Sequence, residues 1–160
     1  MKTIPPLRPA LAWALVLLAC APAQAQQICS SATNPVAFGL YDPQSSAHLD
    51  NTGSITVTCQ ATVSLLIGYT VKLSTGSSGA YSQRKMLSGA NSLNYQVYTN
   101  SARTSIWGDG SSSTSFITDG YLLQLLTPVV KTYTVYGRLP GSQNAKAGSY
   151  LDTLTVLITY

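Results

Sequence analysis

The closing stretch Gly148-Ser-Tyr-Leu-Asp-Thr-Leu-Thr-Val-Leu-Ile-Thr-Tyr160 decides how this chain is read. Leu154, Val156, Ile158 and Tyr160 share one face at a period of two, while Thr153, Thr155, Leu157 and Thr159 share the other. Thr, Val, Ile and Tyr suit a pleated, half-buried surface, so the stretch reads as the clearest strand in the sequence. Its second face is mixed, not polar. A strand this apolar is expected to have partners along both edges, yet no turn and no returning strand follow Tyr160. Either an earlier strand flanks it on each side, or one strand must come from elsewhere.

At the other end, residues 1–25 read as a secretory signal peptide. Lys2 and Arg8 give a positive start, residues 10–20 are an apolar run too short to span a bilayer comfortably, and Ala23-Gln24-Ala25 fits a small-x-small cleavage site. A rival pattern, Leu17-Leu18-Ala19-Cys20, is similar to a bacterial lipobox and would make Cys20 a lipid-anchored N-terminus, although Leu18 is unusual in it. With cleavage after Ala25, residues 26–160 form one domain with one core.

Beyond residue 25 two cysteines remain, Cys29 and Cys59. Secretion and an even count favour a disulfide. A metal site and a catalytic thiol are the alternatives, and two cysteines with a single histidine in the chain make a poor zinc site. Removing Lys2 and Arg8 lowers the net charge from +4 to about +2, and all five acidic residues are Asp. The remaining basic residues are scattered, with only Arg84 and Lys85 adjacent. No nucleic-acid footprint is present. Low charge with abundant Ser, Thr, Gly and Tyr points to an extracellular β protein.

No segment shows a helical stripe. Residues 34–41 begin with Pro35 and alternate Val36, Phe38 and Leu40, which reads as a short edge strand with Gly39 as a bulge. Asn51-Thr-Gly53 reads as a turn, followed by a strand with Ile55, Val57 and Cys59 inward. Further strands are expected at 65–74 (Ile67, Tyr69, Val71 and Leu73 inward), at 93–99, within 116–126, at 129–139 and at the closing stretch. Residues 81–91 read as irregular, and 100–115 as a long loop. Six or seven short strands at this spacing make a two-sheet β-sandwich.

In order and spacing the residues resemble the spore coat protein U domain family, which also supplies subunits of archaic chaperone–usher pili. The matching pieces begin with Cys29, Val36-Ala-Phe-Gly-Leu-Tyr-Asp42, Gly53-Ser-Ile-Thr-Val-Thr-Cys59 and Tyr69-Thr-Val-Lys-Leu-Ser74. They continue through Gln83-Arg-Lys-Met86, Leu93-Asn-Tyr-Gln-Val-Tyr98, Ala102-Arg103 and Trp107-Gly-Asp-Gly110. Val135-Tyr-Gly-Arg138, Gln143, Gly148-Ser-Tyr-Leu-Asp-Thr153 and Tyr160 complete them.

The resemblance implies an all-β, incomplete immunoglobulin-like sandwich of the pilin type, lacking its final strand. It implies an apolar groove beside the last strand, with Leu154, Val156, Ile158 and Tyr160 as the strand-acceptor edge. A periplasmic chaperone would fill that groove first, and a neighbouring pilus subunit would replace it at an outer-membrane usher, by β-strand addition. A disulfide from Cys29 to Cys59 joining the first two strands, a carboxylate on Tyr160 held by chaperone cations, and export through the periplasm to the cell surface are implied likewise. A donor extension needs about ten residues. Only Gln26, Gln27 and Ile28 would precede Cys29, so the chain is expected to accept a strand more readily than give one, and to end a fibre or act outside a polymer.

Other chemistries are poorly served. His48 has no paired acid to orient it, so a Ser-His-Asp set is not expected, nor any cofactor. Trp107-Gly-Asp-Gly110 reads either as a glycan-contacting loop or as a tight turn with the indole covering the core edge, and the dispersed Asp42, Asp50, Asp109 and Asp119 fit no calcium loop. Besides a pilus subunit, the open alternatives are a self-complete secreted coat or matrix protein and a lipid-anchored surface lipoprotein.

Overall fold

The structure, a computed structural model, describes residues 27–61, 65–123 and 127–160. The signal-peptide and Cys20 readings, Gln26, residues 124–126 and the side chain of Ile67 lie outside what is described.

Among the described residues eight strands form two sheets: β1 (Gln27–Asn34), β2 (Leu49–Ala61), β3 (Leu65–Leu73), β4 (Arg84–Ser88), β5 (Asn91–Tyr98), β6 (Ile117–Leu123), β7 (Val129–Leu139) and β8 (Val156–Thr159). The larger sheet has the order β1-β2-β7-β5-β4, the smaller β6-β3-β8. All pairings between strands are antiparallel.

The core lies between the sheets and follows the alternation in the sequence. Ile55, Val57 and Cys59 from β2 meet Tyr69, Val71 and Leu73 from β3, all buried, with Leu93, Tyr95 and Val97 of β5 and Val135 and Leu139 of β7. Each inward side chain is followed by an outward one because the pleat has a period of two. Trp107 is fully buried and its indole N–H donates to the Val71 carbonyl at 3.0 Å. The Trp107-Gly-Asp-Gly110 segment is therefore a core-covering turn, not an aromatic contact loop.

Four readings of the sequence are corrected. First, residues 35–41 form no ladder. The first strand is β1, paired in register with β2 so that Cys29 faces Cys59, and a disulfide joins the two across a Cα separation of 4.1 Å. Second, Asn51-Thr-Gly53 is not a turn but part of β2. Glycine is needed there because the chain leaving β1 crosses it, and a Cβ on Gly53 would lie 2.5 Å from the Asn34 carbonyl oxygen. Third, residues 84–88 are a strand, organised around Arg84, whose contacts are not local. Fourth, the closing strand is shorter than its pattern. Its regular ladder is β8 alone, and residues 152–155 carry none.

On the side opposite β8 the sheets are tied by polar side chains. The Tyr69 and Tyr133 hydroxyls bond each other between β3 and β7. Tyr133 also donates to Asp119 Oδ2 at 2.7 Å, and Lys131 lies 3.9 Å from the same carboxylate. The Tyr133 hydrogen bond first, then the Gly120 amide and Lys131, hold Asp119 below the usual carboxylate range against a burial effect of opposite sign. A carboxyl with a depressed folded-state pKa contributes stability that is present above its unfolded value and is lost as pH falls through the folded value. Thermal midpoints between about pH 5 and pH 2 should therefore fall less steeply for Asp119→Asn than for the wild type. Parallel curves would remove Asp119 from the acid response.

Candidate functional site: an open strand edge over an apolar cleft

Among the described residues the C-terminal segment is bonded along one edge and unpaired along the other. The Ser74 N–H donates to the Thr155 carbonyl at 3.0 Å, and the β3–β8 register sets Lys72 opposite Leu157 and Thr70 opposite Thr159. Directly opposed residues in an antiparallel pair alternate between bonded and non-bonded pairs. Thr155, Leu157 and Thr159 thus turn their backbone groups toward β3. Val156 and Ile158, opposite Leu73 and Val71, turn theirs away. Leu151, four residues before Thr155, has the same parity: it exchanges two hydrogen bonds with Leu87 of β4, at 2.8 and 3.0 Å. The segment therefore crosses from the larger sheet to the smaller one, bonded along its inner edge to both. Among the described residues no strand pairs with the outer edge of β8.

Beside that edge the sandwich is open. A cleft of about 1240 Å³ runs between residues 33–41 on one wall and residues 145–154 with Val156 on the other. Its floor is the core itself, with Ile55, Leu73, Leu93, Tyr95, Val97, Val135 and Leu139 reaching it. A groove of this apolar character is the physical complement of an extended chain with alternate apolar side chains.

Both walls are fixed by long-range contacts. On the C-terminal wall, Asp152 accepts from the Ser77 N–H at 2.8 Å, the Ser77 hydroxyl at 2.6 Å and the Tyr95 hydroxyl at 2.6 Å. Burial first, then the hydrogen bond to Asp152, pushes the Tyr95 phenol far above its ordinary range, so it remains a donor. On the other wall, Val36 and Phe38 pack over Gly137, where a Cβ would lie 2.5 Å from Val36 Cγ1 and 2.9 Å from Phe38 Cζ. The Asn51 amide donates to the Ala37 carbonyl, and the Gln143 N–H donates to the Tyr41 hydroxyl at 2.7 Å. The Gln143 side chain also stands in for a strand neighbour, accepting from the Asn94 N–H at 2.7 Å and donating to the Asn94 carbonyl at 2.9 Å.

Of the four residues read as the acceptor edge, Leu154 and Val156 line the cleft. Ile158 packs against the core farther along, and Tyr160 is 58 % exposed and outside the cleft. The second wall was read from the sequence as an edge strand. Asp152 carries no local signal of its role, because its partners Ser77 and Tyr95 are distant in the chain. His48 is exposed and is not among the residues that line the cleft.

These features define an immunoglobulin-like β-sandwich of the pilin type, open along one side. The Spore Coat Protein U domain profile matches residues 13–157, and the chain belongs to that family. It is similar to Protein U of Myxococcus xanthus, 34% identical over 132 residues covering 77% of this chain and 70% of that protein. In fold it is similar to a chain of the CsuC-CsuE chaperone-tip adhesion subunit pre-assembly complex from the archaic chaperone-usher Csu pili of Acinetobacter baumannii. That match has a TM-score of 0.58 at 21% identity and covers 84% of this chain, which spans 40% of the matched one.

Proposed function

We propose that this protein is a structural, non-enzymatic subunit of a chaperone–usher surface fibre, and that its cleft accepts an extended strand from a second polypeptide. The observation that carries this reading is the outward-facing backbone of Val156 and Ile158 beside an apolar cleft that Leu154 and Val156 line. An unpaired strand edge beside an apolar cleft is an aggregation hazard unless another chain covers it. A periplasmic chaperone would cover it first, and a neighbouring subunit would follow at an outer-membrane usher on the way to the cell surface. Membership of the Spore Coat Protein U domain family, and the fold shared with a chain of a chaperone-tip subunit complex from archaic chaperone-usher pili, support the assignment.

The chain acts in this reading as an acceptor more than a donor, which suits the end of a fibre. Residues 27–34 are bonded along β2 and held by the disulfide, so they are not available to fill a neighbour's cleft.

Two measurements test the proposal. Co-expression with a periplasmic chaperone of a chaperone–usher system should yield a co-purifying complex, with degradation of the subunit when the chaperone is omitted. A synthetic peptide of about ten residues, alternating Val with Thr, should raise the thermal midpoint of the purified protein. A soluble, stable monomer that ignores both partners would instead be a self-sufficient secreted sandwich, and the proposal would be abandoned.

A further inference from the structure

We infer that Gly39 and Leu40 form a strap that closes over the strand taken up by the cleft, with Leu40 as the side chain that retains it. The inference rests on the strand-accepting reading above and adds to it a residue that sets how long the strand stays.

The wall formed by residues 33–41 is anchored on both sides of this pair. Phe38 is held over Gly137, and the Tyr41 hydroxyl is bonded to the Gln143 N–H. Between these anchors, Gly39 and Leu40 have no hydrogen-bond partner among the described residues. Gly39 has φ +80, and no heavy atom lies within 4 Å of where its Cβ would be. Leu40 borders the cleft, yet the residue is 98 % exposed, more than any other large apolar residue described.

The sequence pattern explains the exposure. Val36, Phe38 and Leu40 alternate, and an extended backbone through Gly39 would put Leu40 on the same face as Phe38. The positive φ at Gly39 breaks that alternation and turns Leu40 out. Glycine moves between positive and negative φ with little steric cost, so one residue can switch the strap. With the cleft empty, Leu40 has no occupant to cover. With a strand in place, removing its apolar surface from water favours the closed form. The closed strap would also offer the strand a second backbone edge across from β8.

Two substitutions move the strap in opposite directions. Gly39→Val places a β-branched residue where φ is positive, a strained conformation, in open space where the side chain itself clashes with nothing. It disfavours the open strap. Leu40→Ser removes the retaining side chain and, being exposed, leaves the midpoint of the empty protein unchanged. The probe is the Val/Thr peptide, with its release followed after dilution and amide hydrogen exchange followed at residues 39–41.

The expected result is release about tenfold slower for Gly39→Val and about tenfold faster for Leu40→Ser, with the amides of 39–41 protected only when peptide is bound. If the wild type takes up the peptide but both variants release it at the wild-type rate, the strap is wrong and the accepting cleft stands. Faster release from Gly39→Val would show a merely structural glycine and would also overturn the strap. If the wild type takes up no peptide and forms no chaperone complex, both readings fall together.

Discussion

Arg84→Met is expected to lower stability by about 3–5 kcal/mol, from two stranded carbonyls at about 1–3 kcal/mol each, a fall in the thermal midpoint of roughly 10–20 °C. Arg84 is fully buried, and its guanidinium meets carbonyl and amide oxygens where a carboxylate would be the usual partner. Its Nε and Nη2 donate to the Ser74 carbonyl at 3.2 and 2.7 Å, Nη2 also to the Trp107 carbonyl at 2.7 Å, and Nη1 to Gln96 Oε1 at 2.6 Å. One side chain therefore ties the end of β3, the start of β4, the middle of β5 and the buried Trp107 turn. Burial lowers the guanidinium pKa, and the Tyr81 ring at 5.3 Å supplies a further favourable contact.

Methionine fills much of the same volume but donates nothing. The Ser74 and Trp107 carbonyls would then be stranded in the interior, and the Gln96 amide oxygen would keep only its bond from the Val97 N–H; unsatisfied buried acceptors are expensive. Lysine should recover only part of the loss, because one ammonium cannot reproduce a planar fork aimed at three sites. Chemical denaturation of the wild type and both variants decides the matter. Equal midpoints for the wild type and the methionine variant would mean that Arg84 does not organise this corner.

Removing the disulfide is expected to cost about 3–4 kcal/mol on the chain-entropy model, given its 30-residue separation. The consequence should not stay local. Among the described residues β1 is an edge strand laddered to β2, and most of its described side chains are exposed, so the disulfide is a main tie to the core. The wall at 35–41 follows β1 directly. Cys29→Ala with Cys59→Ala should therefore lower the urea midpoint and also open the chain near Pro35 to proteolysis, with loss of peptide uptake. The same midpoint for oxidised and reduced protein would show that the β1–β2 ladder suffices without the bond.

The sandwich was legible because its strands alternate with little ambiguity. Ile55, Val57 and Cys59, Tyr69, Val71 and Leu73, and Leu93, Tyr95 and Val97 are buried in just the way a period of two demands. The tertiary structure alone revealed features with no local signature. Gly53 looked like a turn residue, since Asn-Thr-Gly is turn chemistry, but it is glycine because another segment crosses it. Residues 84–88 looked irregular because Arg84 is a charge in a core position, and its acceptors lie in three other parts of the chain.

The candidate site divides the same way. Periodicity by itself placed Leu154, Val156, Ile158 and Tyr160 on one face of the closing strand, since alternation along a strand is a property of the backbone. It could not say that the regular ladder would be only Val156–Thr159, that Asp152 would pin the preceding turn to Ser77 and Tyr95, or that residues 33–41 would form the opposing wall. Those outcomes depend on which distant groups meet in space. A linear pattern encodes which way a side chain points, and only the packed fold decides what it meets there.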